Sequence, residues 1–385
     1  MDLSPSNPLP AEWNLVVAAS SPEPRAVDLV SCLVEKPVDW ELVLRLANHH
    51  GASSLLYKSL GALDSNVPTT VLAMLRQKHE SNIHRSLFIM RELIRIVNRL
   101  DSLGIEVTPY KGVVLSEVYY GDMAMRQSGD MDLFVHVADV PRIKSAVRDL
   151  GYTPRVPIPV EAEADYLASG YECTFDSPAG KNLLEVQWAL QPRFYAVDFD
   201  MDGLFERAVT VNVGGCRLKT PSPEDLLLVL ALHAAKHVWG RLIWIRDIAQ
   251  TIKREDLNWN WIYSQSRALG IERIVNITLL LTARFLGVAL PVAIEKTVVA
   301  DDTTQAFARQ ISATVTAGVT YEEEKLSYFR LMMSLRERKV DRLRFLSRLA
   351  FTPAPGEWKS VRLPKPWFPL YRLVRLARLL SRFAG

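Results

Sequence analysis

The sequence predicts an α+β fold in which a small mixed-sheet core is flanked by N-terminal and C-terminal helical domains. Three observations support this prediction: helical periodicity within residues 1–103, short β-prone runs alternating with helices over 104–215, and a second helical stretch over 216–350. Residues 351–385 follow as a proline-rich linker and a basic amphipathic helix. A chain of 385 residues, 49% of them hydrophobic, is long enough to bury cores of this size.

The N-terminal helical region ends in one long predicted helix. Apolar residues recur there at three- and four-residue spacing, which is the period of a single helix face. They are Leu87, Met90, Leu93, Ile94, Val97 and Leu100. Gly104 follows and is a typical residue for a helix C-terminus, so the helix is expected to end where the mixed region begins.

The mixed region contains six short segments of alternating type. The β-prone runs are IEVTPY, DMDLFVHV, ECTFDS and NLLEVQWAL, and helices are predicted near 113–120 and 140–150. Helical periodicity resumes after Thr220 to Pro223, where SPEDLL combines a proline with two acids in the first turn, as helix starts commonly do.

The C-terminal segment from Lys359 to Arg382 carries cations without any acid. The cations are Lys359, Arg362, Lys365, Arg372, Arg375, Arg378 and Arg382, and the apolar residues are Leu373, Leu376, Leu379 and Leu380. A basic amphipathic helix of this kind binds peripheral membrane surfaces or nucleic acid in some proteins. We favour the simpler interpretation, a solvated basic face whose leucines pack on the parent domain.

Composition and charge argue against several classes of protein. Forty-six Lys plus Arg against 43 Asp plus Glu leave a formal net charge of only +3, so no global field indicates nucleic acid or lipid. Cys32, Cys173 and Cys216 lack CxxC spacing and are expected to be reduced, buried thiols. The sequence shows neither a secretory leader nor an integral membrane span, so the expected location is cytoplasmic.

Three acids form the candidate metal-binding site. In GDMDLFV, alternation along a strand places Asp130 and Asp132 on the same face, which we expect to be solvent-exposed. Glu185 in NLLEVQW lies on a second β-prone run and faces the same way as Gln187. If the two strands are neighbours, the three carboxylates converge, and carboxylate oxygens are the ligands that Mg²⁺ prefers. An Asp-x-Asp pair alone is more often a turn or a solvated edge.

The segment upstream of the aspartates has features of a phosphate-binding site. Gly112 allows close backbone approach at a predicted helix start, where unpaired N–H groups attract anions. Lys111 and Arg126 add positive charge, and Ser128 lies in the same segment. We predict that these four residues bind a nucleotide. The alternative for Arg126 is a surface ion pair with Asp122 or Glu117.

The stretch from Lys111 to Asp132, with LEVQW and the later HAAKHVWGRLIWIRD, resembles the uncharacterised bacterial nucleotidyltransferases of the polymerase-β-like superfamily. The resemblance covers about residues 30–380. In that superfamily, a glycine motif at a helix start precedes an Asp-x-Asp strand and a third acidic strand. Gly112, the aspartate pair and Glu185 match these features.

This sequence departs from the family pattern at two positions. Val113 stands where the superfamily has a second Gly or Ser, and Gln187 stands where a histidine is expected. The resemblance implies in-line attack by an acceptor hydroxyl on the α-phosphorus of a nucleoside triphosphate such as ATP, with pyrophosphate leaving. It also implies two Mg²⁺ ions, with Mn²⁺ as an alternative, held by Asp130, Asp132 and Glu185.

A mixed polar and aromatic stripe follows in LHAAKHVWGRLIWIRD. On one continuous helix, His233, Lys236, His237, Gly240, Trp244 and Asp247 would share a side. His233, Lys236 and His237 are therefore predicted to contact the triphosphate or the acceptor. The alternative is structural, with the tryptophans packing the domain and Asp247 paired with Arg241 or Arg246. We favour the functional interpretation for His233 and Lys236.

Three functions remain open from the sequence. The leading one is transfer of a nucleoside monophosphate to an unidentified small molecule, peptide or macromolecule. The second is a toxin- or defence-type nucleotidyltransferase that modifies RNA or protein through the basic tail and the lysines of the cleft. The third is a catalytically inactive module that binds a nucleotide or a partner protein.

Overall fold

A computed structural model describes residues 10–63, 67–158, 160–178, 180–254, 256–318, 325–352, 361, 363 and 365–384. Its N-terminal region consists of five helices: α1 (Ala11–Ser20), α2 (Ala26–Val34), α3 (Trp40–His49), α4 (Ser53–Gly61) and α5 (Thr69–Asp101). In α3, the Asp39 side chain accepts the first-turn N–H of Leu42 at 3.0 Å and so caps the helix. The long helix α5 ends before Gly104, as predicted.

The central region forms a five-stranded mixed sheet with short helices. Its elements are β1 (Val107–Pro109), α6 (Gly112–Leu115), β2 (Met131–Val135), α7 (Val140–Asp149), β3 (Thr153–Pro154), α8 (Glu163–Ser169), β4 (Glu172–Ser177) and β5 (Gly180–Gln187). The strand order is β1-β2-β5-β4-β3. Strands β2 and β5 are parallel, and the other neighbours are antiparallel. The predicted α+β class with a mixed sheet is thus confirmed.

A short helix and a hairpin connect the sheet to the C-terminal helices. They are α9 (Met201–Glu206), β6 (Val209–Val213) and β7 (Cys216–Thr220), and the turn of the hairpin contains Gly214 and Gly215. The helices that follow are α10 (Pro223–Lys236), α11 (Leu242–Arg254), α12 (Trp259–Leu269), α13 (Glu272–Leu286), α14 (Val292–Ala300), α15 (Asp302–Thr316), α16 (Leu326–Ser334), α17 (Lys339–Phe351) and α18 (Tyr371–Ala384). Ser222 caps α10, consistent with the predicted helix start.

Among the described residues, two large hydrophobic cores and one smaller cluster hold the molecule together. The first core joins the N-terminal helices to the C-terminal helices, and its members include Trp13, Leu56, Leu75, Trp239, Ile248, Ile277 and Phe345. The second core lies between the sheet, α5 and α7, and its members include Ile89, Leu93, Leu133, Val135, Ile143 and Leu184. The two helical regions therefore share one core, although the central sheet separates them in the sequence.

The thiols and the C-terminal helix differ from the sequence expectation. Cys173 is buried, but Cys32 is exposed and Cys216 is half-buried, so the prediction of three buried thiols is wrong for Cys32. Among the predicted tail cations, Lys359 and Arg362 lie outside the described residues. Arg375 is buried in α18 and donates from Nε to the carbonyl of Leu349 at 3.2 Å.

The leucines of α18 fall into two groups. Leu379 is buried in the first core, whereas Leu373 is 59% exposed. Part of the helix therefore packs on the parent domain, as the simpler interpretation expects. In the described part of the chain, no helix is both long and apolar enough to cross a bilayer.

Candidate active site

A cleft of about 850 Å³ lies between the sheet and the helices α10 and α11. Its walls bring together nine of the ten predicted site residues: Lys111, Arg126, Ser128, Asp130, Asp132, Glu185, His233, Lys236 and His237. The tenth, Gly112, lies directly behind the wall and packs against the backbone of Asp130.

The three predicted acids meet because β2 and β5 are parallel neighbours. Asp132 on β2 is directly opposite Glu185 on β5, and Asp130 immediately precedes β2. Neighbouring strands are about 4.8 Å apart, so the side chains of Asp132 and Glu185 stand side by side on one face of the sheet. The expectation of a solvent-exposed pair is wrong for Asp132, because this residue is only 5% exposed.

Lys111 and Gln187 contact these carboxylates directly. Lys111 Nζ lies 3.2 Å from Asp132 Oδ1, and both side chains are buried. Gln187 Nε2 donates to Glu185 Oε2 at 3.0 Å and lies 3.4 Å from Asp132 Oδ1. The hydroxyl of Tyr110 donates to Gln187 Oε1 at 2.8 Å and so fixes the orientation of the amide. The residue that replaces the expected histidine therefore holds two of the three acids in place.

The pKa values of Asp130 and Glu185 are raised, because both acids are buried close to other negative charges. Burial and the charge of Asp132 raise the pKa of Asp130 to about 6. Burial, followed by the charges of Asp132 and Glu172, raises the pKa of Glu185 to about 8. Burial alone would lower the pKa of Lys111, but the neighbouring negative charge of Asp132 keeps it above its ordinary value. The site thus concentrates more negative charge than one ammonium group neutralises.

The donor set fits a hard divalent cation. Asp130, Asp132 and Glu185 offer carboxylate oxygens on one wall, and a cation would relieve the repulsion that raises their pKa values. As they stand, no three His, Cys, Asp or Glu side chains in the described part of the chain are grouped tightly enough to enclose a metal ion. The Lys111 ammonium and the Gln187 amide occupy contacts on these oxygens, so a metal would have to displace at least one of them.

The segment that the sequence predicts to bind phosphate is held close to the acids. Gly112 adopts a left-handed backbone with φ +60°, and a Cβ there would lie 3.1 Å from the carbonyl oxygen of Asp130. A side chain at this position would be strained and crowded, which explains the glycine. Ser128 lies on the same side, and its hydroxyl accepts from Arg126 Nη1 at 3.2 Å.

Arg126 forms a buried ion pair rather than a surface pair. Its Nε donates to both carboxylate oxygens of Asp247 at 3.0 Å, and the hydroxyl of Tyr120 donates to the same carboxylate at 2.6 Å. The alternative pairings of Arg126 with Asp122 or Glu117, and of Asp247 with Arg241 or Arg246, are therefore wrong. The pair links the phosphate-binding segment to helix α11.

The predicted continuous helix through LHAAKHVWGRLIWIRD is in fact two helices. Helix α10 ends at Lys236, and α11 begins at Leu242. Between them, Val238 and Trp239 both adopt left-handed backbones with φ 51°, which is rare for non-glycine residues. The buried ring of Trp239 anchors this bend, because its Nε1 donates to the hydroxyl of Thr278 at 2.9 Å.

Although the chain bends here, His233, Lys236 and His237 all line the cleft, as predicted for one continuous helix. His233 and His237 pack their rings against Trp244 of α11, with centroid distances of 5.3 and 5.0 Å. Burial, followed by the positive charge of Lys111, lowers the pKa of His233 well below its ordinary value, so His233 is a neutral imidazole near pH 7. Lys236 reaches the opposite side, where its Nζ lies 3.3 Å from the hydroxyl of Tyr171.

The sequence interpretation missed Glu172, a fourth acid in the cleft. Glu172 begins β4 and pairs with Gln187 of β5, and its Oε1 accepts from the hydroxyl of Tyr171 at 2.6 Å. Burial raises its pKa. The only available signal was alternation along ECTFDS, which places Glu172 and Thr174 on one face of the strand.

Arg85 of α5 is a second residue that the sequence interpretation missed, and it supports the loop that leads into β2. Arg85 donates from Nε to the carbonyl of Ser128 at 3.0 Å and from Nη2 to the carbonyl of Gly129 at 2.7 Å. It therefore fixes the backbone that leads into Asp130. Nothing local in the sequence distinguishes Arg85 from the other cations of this long helix.

A protein-family model matches the part of the chain that forms this cleft. The model, described as "Uncharacterised nucleotidyltransferase", matches residues 36–287, a range that contains every cleft residue named above. The chain belongs to this nucleotidyltransferase family. Membership in the family supports a general nucleotidyltransferase role.

The chain is similar to a crystal structure of an antigenic nucleotidyltransferase-like protein from Paracoccidioides brasiliensis, at 17% sequence identity and a TM-score of 0.36. The similarity covers 53% of this chain and 94% of that chain. No curated protein matches the chain.

Proposed function

We propose that the chain transfers a nucleoside monophosphate from a nucleoside triphosphate to a hydroxyl acceptor, with a divalent metal ion as cofactor. The observation that carries this proposal is the parallel register of β2 and β5, which sets Asp132 opposite Glu185 with Asp130 beside them. In the reaction, the acceptor oxygen bonds to the α-phosphorus, the bond to pyrophosphate breaks, and the proton of the acceptor hydroxyl passes to a carboxylate of the cleft.

Asp130, Asp132 and Glu185 would hold the metal. Bound there, two Mg²⁺ ions supply charge neutralisation for the phosphates and lower the pKa of a coordinated hydroxyl. Lys111 already lies against Asp132, so its ammonium is placed to bind phosphate oxygens when a metal takes over that carboxylate.

The triphosphate side of the cleft contains Lys111, Gly112, Arg126 and Ser128. The left-handed backbone of Gly112 lets this turn pack against the carbonyl of Asp130, which holds the turn beside the aspartates. Arg126 orients the hydroxyl of Ser128 and is itself held by Asp247. Asp247 balances the charge of Arg126, whereas Asp132, the partner of Lys111, would be shared with a bound metal, so Lys111 would then supply most of the net positive charge in this corner.

The acceptor side lies toward β4, where Glu172, Tyr171 and Lys236 form one cluster. The Oε1 atom of Glu172 accepts a hydrogen bond from the hydroxyl of Tyr171. In the described part of the chain, no donor forms a hydrogen bond with its Oε2 atom. That oxygen is available to accept a hydrogen bond from an acceptor hydroxyl. The ammonium of Lys236 adds to this polar lining, whereas the neutral ring of His233 packs on Trp244.

The deciding experiment measures Mg²⁺-dependent release of pyrophosphate from ATP, GTP, CTP and UTP across a panel of hydroxyl acceptors that includes RNA and peptides. We expect release in the wild type and a loss of at least about 100-fold in Asp130→Asn and Asp132→Asn, because each removes a metal-binding charge. Asp149→Asn is the matched control, since Asp149 is exposed and, among the described residues, forms an ion pair with Arg99 alone.

Three outcomes separate the candidate functions. Full activity in both variants would remove the aspartates from the reaction. Tight binding of Mg²⁺ and nucleotide without pyrophosphate release would identify an inactive binding module. Activity confined to RNA, with a steep decrease in RNA binding as salt increases, would identify the RNA-modifying alternative.

A further inference from the structure

The end of the cleft beyond the phosphate-binding corner is lined by an aromatic ring and an unpaired cation. Trp244 is half-buried on α11, and the guanidinium of Arg241 lies 5.6 Å from the centroid of its ring. Arg241 is exposed, and in the described part of the chain it contacts no carboxylate. Neither residue is needed for the carboxylate chemistry.

The position of Trp244 relative to the phosphate site follows from α11. Asp247 lies three residues after Trp244, about one helical turn along the axis, and it holds Arg126 beside Ser128. The indole is thus one turn away from the corner proposed to hold the triphosphate. Lys236, in contrast, reaches toward Tyr171 on the β4 side, so the last turn of α10 separates this aromatic end from the acceptor side.

The N-terminal region completes the wall of the aromatic end. Asn48 and Gly51 line the cleft there, and the backbone N–H of Ile243 donates to the carbonyl of His50 at 3.1 Å. Lys78 donates to Asn48 Oδ1 at 2.9 Å, which leaves Asn48 Nδ2 as a hydrogen-bond donor at the rim. The indole of Trp244, the guanidinium of Arg241 and the side-chain amide of Asn48 therefore line the same end of the cleft.

We propose that this end of the cleft binds the nucleobase of the triphosphate, with Trp244 as the stacking platform and Arg241 as the opposite plane. Bases stack on indole rings and on guanidinium groups alike. The guanidinium of Arg241 is 5.6 Å from the centroid of the Trp244 ring, so this exposed side chain would swing outward to admit a base between the two planes. A cationic ligand is disfavoured, because the guanidinium of Arg241 already makes this end of the cleft positive. This inference rests on the proposed function, since it requires the triphosphate at Lys111.

The test compares two ligands that share the phosphate chain and differ in the base. Binding of Mg²⁺·ATP and of Mg²⁺·tripolyphosphate to the full-length chain is measured by calorimetry for the wild type, Trp244→Leu and Trp244→Phe. We expect Trp244→Leu to weaken ATP about tenfold or more, to leave tripolyphosphate within twofold, and to be largely rescued by Trp244→Phe. Purine triphosphates should lose more than UTP because their larger rings stack more strongly.

Trp367→Leu is the matched control, because Trp367 is 58% exposed and lies outside the cleft. Equal weakening of ATP and tripolyphosphate by Trp244→Leu would overturn the inference, since Trp244 would then only shape the cleft. Equal affinity of the wild type for the two ligands would also overturn it while leaving the phosphate site intact. Failure of both ligands to bind the wild type would reject the proposed function and the nucleobase site together.

Discussion

Asp130 and Asp132 are two residues apart but should differ in their effect on stability. Asp132 is the ion-pair partner of the buried ammonium of Lys111, whereas Asp130 is crowded by the like charge of Asp132. Without metal, we expect Asp132→Asn to lower the free energy of unfolding by about 1–3 kcal/mol, because the charged Lys111 loses its partner. Asp130→Asn should leave the free energy of unfolding unchanged or raise it.

Urea denaturation in the absence of divalent ions measures this difference. The same variants in the presence of Mg²⁺ serve as a comparison, because a bound cation would add its own stabilisation only to the wild type. Equal destabilisation by both substitutions would contradict the assignment of Lys111 to Asp132.

Glu172 offers a test of the acceptor side alone. It contacts Tyr171 and lies on β4, away from the corner formed by Gly112 and Ser128. We therefore expect Glu172→Gln to keep Mg²⁺·ATP affinity within twofold and to raise the KM for the acceptor or lower kcat by about tenfold. Glu206→Gln, an exposed substitution on α9, is the control.

Binding calorimetry and steady-state kinetics with the acceptor found by pyrophosphate release provide the two readouts. A parallel loss of nucleotide affinity and turnover would place Glu172 at the metal rather than at the acceptor. Unchanged kinetics would remove it from the site.

At the scale of elements, one buried ion pair joins the loop before β2 to helix α11. Asp247 is completely buried, and Arg126 is 6% exposed. Removing one partner leaves an uncompensated buried charge, so Asp247→Ala should cost about 3–5 kcal/mol of folding stability. Arg126→Met combined with Asp247→Leu should recover part of that loss, because neither charge remains.

A double-mutant cycle from guanidinium denaturation gives the coupling between the two residues. Strictly additive losses in the single and double variants would show that the pair does not connect the loop to the helix in solution.

His50 lies directly after α3 and contacts the start of α11, and it should make the free energy of unfolding depend on pH. Burial, followed by the charges of His49 and Arg241, lowers the pKa of His50 to about 3, and the N–H of Leu242 donates to its Nδ1 at 3.3 Å. Between pH 3 and 6.5 the unfolded chain binds a proton on His50 that the folded chain does not. His50 therefore destabilises the fold as pH falls below 6.5, by up to about 1.4 kcal/mol per pH unit.

His50→Asn keeps an acceptor near the Leu242 N–H but cannot be protonated in this range. We expect its stability to decrease less steeply than that of the wild type between pH 6.5 and 4.5, as measured by urea denaturation at a series of pH values. His84→Asn, an exposed substitution on α5, is the control. Identical slopes for the wild type and His50→Asn would contradict the neutral state of His50.

The elements that the sequence predicted correctly are those with local signals. Alternation in DMDLFV and LLEVQ places Asp132 and Glu185 on the correct strand faces, but nothing in either segment determines that the two strands pair in parallel. The break after α10 was missed because the left-handed positions are Val238 and Trp239 rather than glycines. The ion pair of Arg126 was missed because its partner is 121 residues away.

At the scale of the whole molecule, the first core makes the N-terminal and C-terminal helices interdependent. Trp13 and Leu56 pack in the same core as Trp239 and Ile248. A chain that begins at residue 68 would expose that face of α10, α11 and α13, and we expect it to aggregate or to bind a hydrophobic dye such as ANS. Solubility, dye binding and circular dichroism measure this.

A deletion confined to residues 361–384 is the comparison, because α18 covers less of the core. A soluble, cooperatively folding chain from residue 68 onward would show that the N-terminal helices are dispensable.

Shared packing of this kind is not visible in a sequence, since periodicity identifies the apolar face of each helix but not the helix that covers it.

The parallel pairing of β2 with β5 also has a consequence for synthesis on the ribosome. Strand β2 emerges well before β5, and parallel strands cannot pair until the whole crossover between them has been made. The wall formed by α10 and α11 emerges later still. Glu185 therefore joins the aspartates only after β5 has been made, and the cleft closes only after α10 and α11 have followed. A nascent chain that ends before α11 has no closed cleft in which to hold cellular nucleotide.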